Sequence, residues 1–385
     1  KGKQELASFS PTSNMVGFVR ENNLYIANLD DETEIQITTD GEKEEIINGA
    51  VDWVYEEEFG FDRGFYWSPD GSEIAYYKFD ESEVPEFEMA LYTGLYPEEY
   101  EFKYPKAGEQ NSEVRIFVYS IDENEKREVE LDANPEQYIP RIKWMADDHR
   151  LAIMRMNRLQ NKLEFLRAKT DEKSSGVIPV ESIFEEEAKT YIDINDNLIF
   201  TEKGDHFFWN SEKDGHNHIY LYSTTGDEIA QLTSGEWDVV EFYGVDEKEG
   251  RIFFSAAVES PMERAIYSTG YKDQIKKYRK SEKTIRPDGD NRNDLDKLTD
   301  NRNMNDASFS ESFEYFINYE SGADFPYRIA LYNDEGKKMR DIELNEELEE
   351  TLKNYNLSPK EFGSFEAEGG HSLNYWMIKP PDFDP

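Results

Sequence analysis

The chain has 385 residues, 84 acidic and 43 basic, for a formal net charge of −41. Such a surface repels nucleic acid and anionic membranes and attracts cationic ligands such as free amines. With 37% hydrophobic residues, 24 Tyr, 24 Phe and no Cys, the chain can bury a large core without disulfides or thiolate metal sites, so a folded β protein fits better than an acidic disordered tail.

The sequence begins Lys1-Gly2-Lys3-Gln4-Glu5 with no signal peptide ahead of strand-like sequence, and reads as a chain already trimmed. No apolar run approaches the ~20 residues of a membrane helix, so no membrane span is expected. Phe9-Ser10-Pro11 followed by Val16-Gly17-Phe18-Val19 is the first copy of an aromatic, Ser-Pro-Asp-Gly turn and strand phrase. Its fullest copy is Trp67-Ser68-Pro69-Asp70-Gly71 ahead of Ile74-Ala75-Tyr76-Tyr77, and degenerate copies begin at Trp144 (through Asp147-Asp148) and Phe309. Pro presets the turn φ and Gly accepts a positive one, which makes the phrase a hairpin signal. A second phrase runs from an apolar-aromatic strand to a closing Ile-Thr or Leu-Thr: Leu24-Tyr25-Ile26 to Ile37-Thr38, Ile219-Tyr220-Leu221-Tyr222 to Leu232-Thr233, and Ile266-Tyr267 to Leu298-Thr299. Phe117-Val118-Tyr119 and Ile329-Ala330-Leu331-Tyr332 read as the same strand in other units.

Phrases repeating roughly every 45 to 75 residues without intervening helices predict an all-β fold, a β-propeller with four-stranded blades, of which about five or six are present. A closed sandwich of this size would not repeat a four-strand phrase. Three stretches interrupt the pattern. Glu83 to Asn111 is an aromatic insertion with Tyr92, Tyr96, Tyr100, Phe102 and Tyr104. Lys272 to Asn303 is highly polar and is expected to be a mobile loop. Asn345 is placed to cap a short helix carrying Leu348, Leu352 and Tyr355 on one face, with Pro359 at its exit.

The most informative segment is Asp52-Trp53-Val54-Tyr55-Glu56-Glu57-Glu58-Phe59. Three consecutive glutamates alone mean little, since Glu185-Glu186-Glu187 also occurs. Here Trp53, Val54, Tyr55 and Phe59 supply the apolar bulk to pin the segment, read as a turn, against a core and so to fix its carboxylates. Fixed paired carboxylates suit a protonated primary amine, which offers three N–H donors and a positive charge. Two acids held together repel each other, and an arriving ammonium relieves that repulsion.

This run resembles the double-glutamate motif of the dipeptidyl peptidase IV subfamily of prolyl-oligopeptidase-type serine proteases. The resemblance continues through Glu83-Val84-Pro85-Glu86-Phe87, Tyr104-Pro105-Lys106-Ala107-Gly108, Arg158-Leu159-Gln160-Asn161, Ser211 to Tyr220, Leu232 to Val239, and Leu373 to Pro381. Only Lys272 to Asn303 departs from it. The resemblance implies that Glu57 and Glu58 bind the substrate's α-ammonium, so that dipeptides are released, usually after Pro or Ala. It also implies that Glu56 is structural and that Trp53 and Tyr55 support the turn. Residues 1–360 would form the propeller and 361–385 the lead-in to an α/β-hydrolase domain carrying a Ser-Asp-His triad. No Gly-x-Ser-x-Gly elbow occurs here, so no catalytic residue is assigned to this chain, and the chain alone is expected to be inactive. The family's carbonyl-holding arginine finds no counterpart in the matching segments. The implied partners are peptides with a free N-terminus, the chain's own hydrolase domain, and a second copy of itself through the arm at 83–111. Packing of the arm's aromatics on their own propeller is the alternative to that homodimer. The implied location is periplasmic, cell-surface or secreted.

No cofactor and no metal site is expected. His206, His216 and His218 lie close together, His216 and His218 on one strand face, but without a third ligand at convincing spacing. Asp288-Gly289-Asp290 lacks the remaining ligands of a calcium loop, His149 and His371 read as surface residues, and Asn356-Leu357-Ser358 is a single sequon. A non-catalytic propeller scaffold binding a protein or glycan is the alternative function, and the reading frame beyond Pro385 separates the two.

Overall fold

The computed structural model describes residues 2–384 apart from 133, 135, 147, 148, 173–175, 195 and 301. Lys1, Pro385 and the Asp147-Asp148 portion of the third turn phrase therefore lie outside the described residues. The chain divides into two compact units, Lys1–Ile194 with Glu202–Gly204, and Asn195–Thr201 with Asp205–Pro385.

The first unit holds three main sheets. The first is an antiparallel meander of Glu5–Phe9, Met15–Arg20, Asn23–Asn28 and Thr33–Gln36. The second runs through Glu73–Asp80, Glu113–Ser120 and Glu125–Val129 and ends on Val177–Ile178, which joins in parallel. Its opposite edge is split between two short strands, Ile46–Asn48 and Phe65–Trp67, which pair with successive stretches of Glu73–Asp80. The third is Gln137–Trp144, Arg150–Asn157, Lys162–Lys169 and Val180–Glu187. The core between the first two sheets is built from Val19, Leu24, Ile26, Phe65, Ile74 and Tyr76. These are apolar residues that the pleat turns to one face of each strand.

The second unit repeats the four-stranded pattern three times, with sheets beginning at Ile199, Val239 and Met304. Lys360–Glu366 and Ser372–Ile378 form a further two-stranded pair. Among the described residues this makes six sheets of four or more strands, in keeping with the expected five or six.

Both sequence phrases have a physical cause. Ser10, Ser68 and Ser310 each donate a backbone N–H to the carbonyl five residues on, at Met15, Glu73 and Tyr315. In return each hydroxyl accepts from that residue's N–H at 3.2, 2.9 and 3.3 Å. The fourth turn residue is left-handed each time: Ser13 (φ 60°), Gly71 (φ 77°) and Phe313 (φ 56°). Thr201 makes the same turn, its hydroxyl accepting from His206 at 3.2 Å with Gly204 at φ 65°. The Ile-Thr and Leu-Thr closures are equally regular. Thr38, Thr233 and Thr299 accept through Oγ1 from the N–H of Leu24, Ile219 and Ile266 at 2.9, 3.0 and 2.9 Å. The preceding Ile37, Leu232 and Leu298 donate back to the same residues' carbonyls.

Three α-helices occur among the described residues, two of them where the sequence reading had none. Helix α1 spans Trp53–Phe59, α2 Lys272–Ser281 and α3 Glu346–Leu352. Helix α2 corrects the expectation of a mobile loop: Ile275 and Tyr278, one turn apart, pack on the core of the second unit, and an Asp273–Lys276 ion pair supports the exposed face. The following stretch is also tied down, since Ser234 donates to Gly289, Asn291 bonds Ser234 and Leu232, and Asp290 holds Arg292. Helix α3 lies where it was expected, but Asn345 sits in the left-handed region (φ 53°) and its side chain donates to the Tyr327 carbonyl instead of capping.

Candidate functional site

The glutamate run is not a turn. Helix α1 fills the gap between the two half-strands Ile46–Asn48 and Phe65–Trp67. The base of this excursion is pinched where Gly64 donates to Gly49, Gly49 to Tyr77 and Tyr77 to Gly64, all within 2.8–3.0 Å. Gly49 is left-handed (φ 76°), and a Cβ on Gly64 would stand 2.7 Å from the Ala50 carbonyl. Glycine at both positions lets the ladder close beneath the loop.

Asp52 starts the helix. Its Oδ1 accepts from the Tyr55 N–H at 3.0 Å, and its Oδ2 accepts from the Ser112 hydroxyl at 2.6 Å. Asp52 is buried, and that burial pushes its carboxyl above the ordinary range against the hydrogen bonds that favour the charge. Tyr55 is also buried. Its ring meets Phe59, Phe79 and Tyr138 edge-on, and its hydroxyl accepts from Ile139 at 2.8 Å. Phe59 packs on Tyr138, and Gly60 closes the helix in the left-handed conformation. The apolar face is thereby anchored, and Glu56, Glu57 and Glu58 are left exposed on the other.

Glu57 and Glu58 line an open cleft of about 290 Å³ together with Trp53, Arg158 and Gln160. Glu56 is not among the residues lining it. Trp53, expected only to support the turn, lines the cleft while packing on Tyr104, their rings tilted by 49° with centroids 4.1 Å apart. Glu57 and Glu58 occupy the last turn of α1, where no basic residue balances them. Carboxylates at a helix C-terminus oppose the macrodipole, and Lys106 and Arg158 line the same cleft opposite them in charge. Glu58 Oε1 accepts from Gln160 Nε2 at 2.9 Å. Burial raises the hydroxyl pKa of nearby Tyr191, with Glu58 and Asp193 adding to the effect.

Sequence reasoning missed how much of the cleft comes from elsewhere. Lys106, Ala107 and Gly108 belong to the return of the arm, and Arg158 and Gln160 to the turn after Arg150–Asn157. Arg158 and Gln160 stood in a quoted stretch, but only the tertiary structure brings them beside the glutamates. Arg158 is committed to Glu136 at 3.2 Å and to the Glu109 carbonyl, so it braces the arm against the third sheet.

The histidines have other work. His216 precedes the strand that His218 begins, which corrects their placement on one strand face. Burial lowers the His218 pKa, which keeps the ring neutral. Nε2–H then donates to the Gly235 carbonyl at 3.1 Å, and Nδ1 accepts from Thr233 at 3.0 Å. His206 pairs with Asp205 at 2.7 Å. No group of three or more metal-capable side chains occurs among the described residues. Asp290, held near pKa 2 chiefly by Arg292, is engaged as an ion-pair partner.

Known proteins resemble this chain along its length. The family described as the dipeptidyl peptidase IV (DPP IV) N-terminal region matches residues 1–327. Dipeptidyl peptidase 4 of Trichophyton tonsurans is 31% identical over 407 residues, covering 100% of this chain and 48% of that protein. The Trichophyton equinum dipeptidyl peptidase 4 is 30% identical with the same coverage. The chain spans about half the length of these relatives. The crystal structure of Porphyromonas gingivalis dipeptidyl peptidase 4 superposes with a TM-score of 0.87 at 39% identity, over 100% of this chain and 51% of that one. The fold is a β-propeller of four-stranded blades.

Proposed function

Since the chain belongs to the family of dipeptidyl peptidase IV N-terminal regions, we propose that it is the substrate-recognition and gating part of a serine exopeptidase releasing N-terminal dipeptides after Pro or Ala. Residues 1–360 form the propeller in this reading, and 361–385 lead into a hydrolase domain that supplies the nucleophile. The observation that carries it is the pair Glu57 and Glu58, presented to one cleft at the unbalanced end of α1. An α-ammonium entering there gains charge-assisted hydrogen bonds and relieves the repulsion between the carboxylates. An acylated N-terminus brings neither charge nor enough donors, so the site selects free amines. Anchoring the amine fixes which peptide bond reaches the nucleophile, which is how a dipeptide is measured.

The test uses the full-length protein. Glu57→Ala or Glu58→Ala should each lower kcat/KM on an Ala-Pro chromogenic substrate by roughly 10- to 100-fold, and the double variant further. Full activity in both single variants would refute the assignment.

The hairpin arm, Glu86–Leu91 with Glu98–Lys103, carries the proposed dimer contact. Tyr92, Leu95 and Tyr96 at its tip are 81%, 99% and 83% exposed. A hairpin with apolar groups this open fits association with a second copy. Leu95→Glu with Tyr96→Glu should convert the full-length protein to monomers in sedimentation velocity, with unchanged kcat on a dipeptide substrate. An extracytoplasmic location is part of the same proposal. No helix among the described residues is long and apolar enough to cross a membrane.

A further inference from the structure

A second cavity lies wholly within the second unit, among the sheets that begin at Val239 and Met304. It holds about 250 Å³, and its lining includes Glu241, Arg264, Asp306, Tyr319 and Tyr327. Ligand cavities commonly start near roughly 300 Å³, so this one suits a small molecule better than a longer peptide. Strand order brings the residues together. Glu241 belongs to Val239–Asp246, and Asp306 and Tyr319 are cross-strand partners on Met304–Phe309 and Tyr315–Ser321. Arg264, just ahead of Ala265–Gly270, makes a parallel bridge to Met304. Buried Asn305 locks that junction, its Nδ2 donating at 2.8 Å to the carbonyls of both Arg264 and Asp300.

The lining carries both signs of charge. Asp306 commits Oδ1 to the Tyr243 hydroxyl and the Ala307 N–H, each at 2.8 Å, and Oδ2 has no partner among the described residues. The Glu241 carboxylate and the Arg264 guanidinium have no hydrogen bond or ion pair among those residues. Desolvation first, and the Asp306 charge second, hold the Glu241 carboxyl above its ordinary range, which puts the two acids within electrostatic reach of each other. An unpaired arginine sharing one cavity with two acids suits a ligand that carries both charges. The spacing fits two residues. Arg264 stands beside Met304, and Asp306 lies two positions along that strand, about 7 Å away. An extended dipeptide spans the same distance, about 7 Å. Tyr319 and Tyr327, with ring centroids 6.4 Å apart, give its side chains an aromatic wall.

We propose that this cavity binds the free dipeptide that the enzyme releases, with its carboxylate on Arg264 and its ammonium between Glu241 and Asp306. The choice of ligand rests on the reading of the full-length protein as a dipeptide-releasing peptidase. An intact peptide substrate has no carboxylate at its second residue, so the cavity takes product in preference to substrate. Product held there is a second bound dipeptide, independent of Glu57 and Glu58.

Isothermal titration calorimetry on the full-length Glu57→Ala/Glu58→Ala double variant separates the cavity from the amine anchor, with Ala-Pro, its C-terminal amide and N-acetyl-Ala-Pro as probes. Ala-Pro should bind at one site per chain, and the amide and the acetylated form about tenfold more weakly. Arg264→Met in that background should weaken Ala-Pro about tenfold and leave the amide within about twofold. Glu241→Gln should weaken Ala-Pro and the amide alike and leave the acetylated form unchanged. Both side chains are exposed, and thermal melting verifies that each variant is folded. The proposal is overturned if Ala-Pro does not bind the double variant, or if the amide binds as tightly as the acid. It is also overturned if Arg264→Met and Glu241→Gln both keep Ala-Pro affinity within about twofold of the parent. The peptidase reading fails separately, if the wild-type protein releases no dipeptide from an Ala-Pro chromogenic substrate; the titrations still decide the cavity.

Discussion

Asp52 shows how much of the site depends on one side chain. Its carboxylate caps α1 and holds Ser112 at the foot of the returning arm. Asp52→Ala should therefore cost about 1–2 kcal/mol from the lost cap alone and loosen the helix that carries Glu57 and Glu58. In the full-length protein KM should rise more than kcat falls, as steady-state kinetics would reveal. Glu81, buried nearby, is pushed up to about 7, first by burial and then by the neighbouring charges of Asp52 and Glu44. Its folded pKa lies above the ordinary carboxyl value of 4.5, so its contribution to stability is complete below about pH 4.5 and is lost as pH rises through about 7. Glu81→Gln should accordingly raise the melting temperature at pH 8 and leave it nearly unchanged at pH 4.5, measured by calorimetry. That Glu57 and Glu58 sit on a segment fixed by its aromatics was legible at this scale. Their helix was not. Trp53, Val54 and Tyr55 are indifferent helix formers, and what makes them helical is burial of Tyr55 and Phe59 against Tyr77, Phe79 and Tyr138.

At the scale of elements, the repeated Thr is the part of the strand phrase that does the chemistry. Thr38, Thr233 and Thr299 each satisfy a buried N–H at the start of a third strand, a donor that would otherwise lack a partner. Thr38→Val should leave the Leu24 amide unsatisfied at a cost of about 1–3 kcal/mol, while Thr38→Ser keeps the acceptor. Hydrogen exchange should show lost protection at Leu24 in the first variant, with Ile219 and Ile266 unaffected. The turn phrase was read through Pro and Gly, yet the copies at Ser10, Ser68 and Ser310 share a hydroxyl returning to the N–H five residues on, while Met145, in the copy at Trp144, keeps only the backbone bond to Arg150. The copy at Thr201, with neither Pro69's counterpart nor a Ser, escaped that reading. Helix α2 escaped for the opposite reason: its composition is almost wholly polar, and two residues, Ile275 and Tyr278, suffice to dock it.

For the whole molecule, charge is the property with the longest reach. A chain with net charge −41 attracts cations such as ammonium groups to its surface. In the full-length protein, kcat/KM on a free-amine dipeptide substrate should fall roughly 2- to 5-fold between about 50 and 500 mM salt, mostly through KM. An ionic-strength series at fixed pH measures it; a flat response would assign binding to short-range contacts alone.

The sequence by itself determined the architecture and singled out Glu57 and Glu58 as the candidate anchor. Turn hydroxyls, closing threonines and alternating aromatics act over a few positions, and each repeat states them again. Tertiary structure alone decided that the anchor is a helix pinched out between Gly49 and Gly64, that Trp53 lines the cleft, and that Arg158 and Gln160 complete its wall. Gln160 meets Glu58 across 102 positions of chain. No local pattern encodes that meeting, because it exists only once two sheets have folded and set their turns side by side.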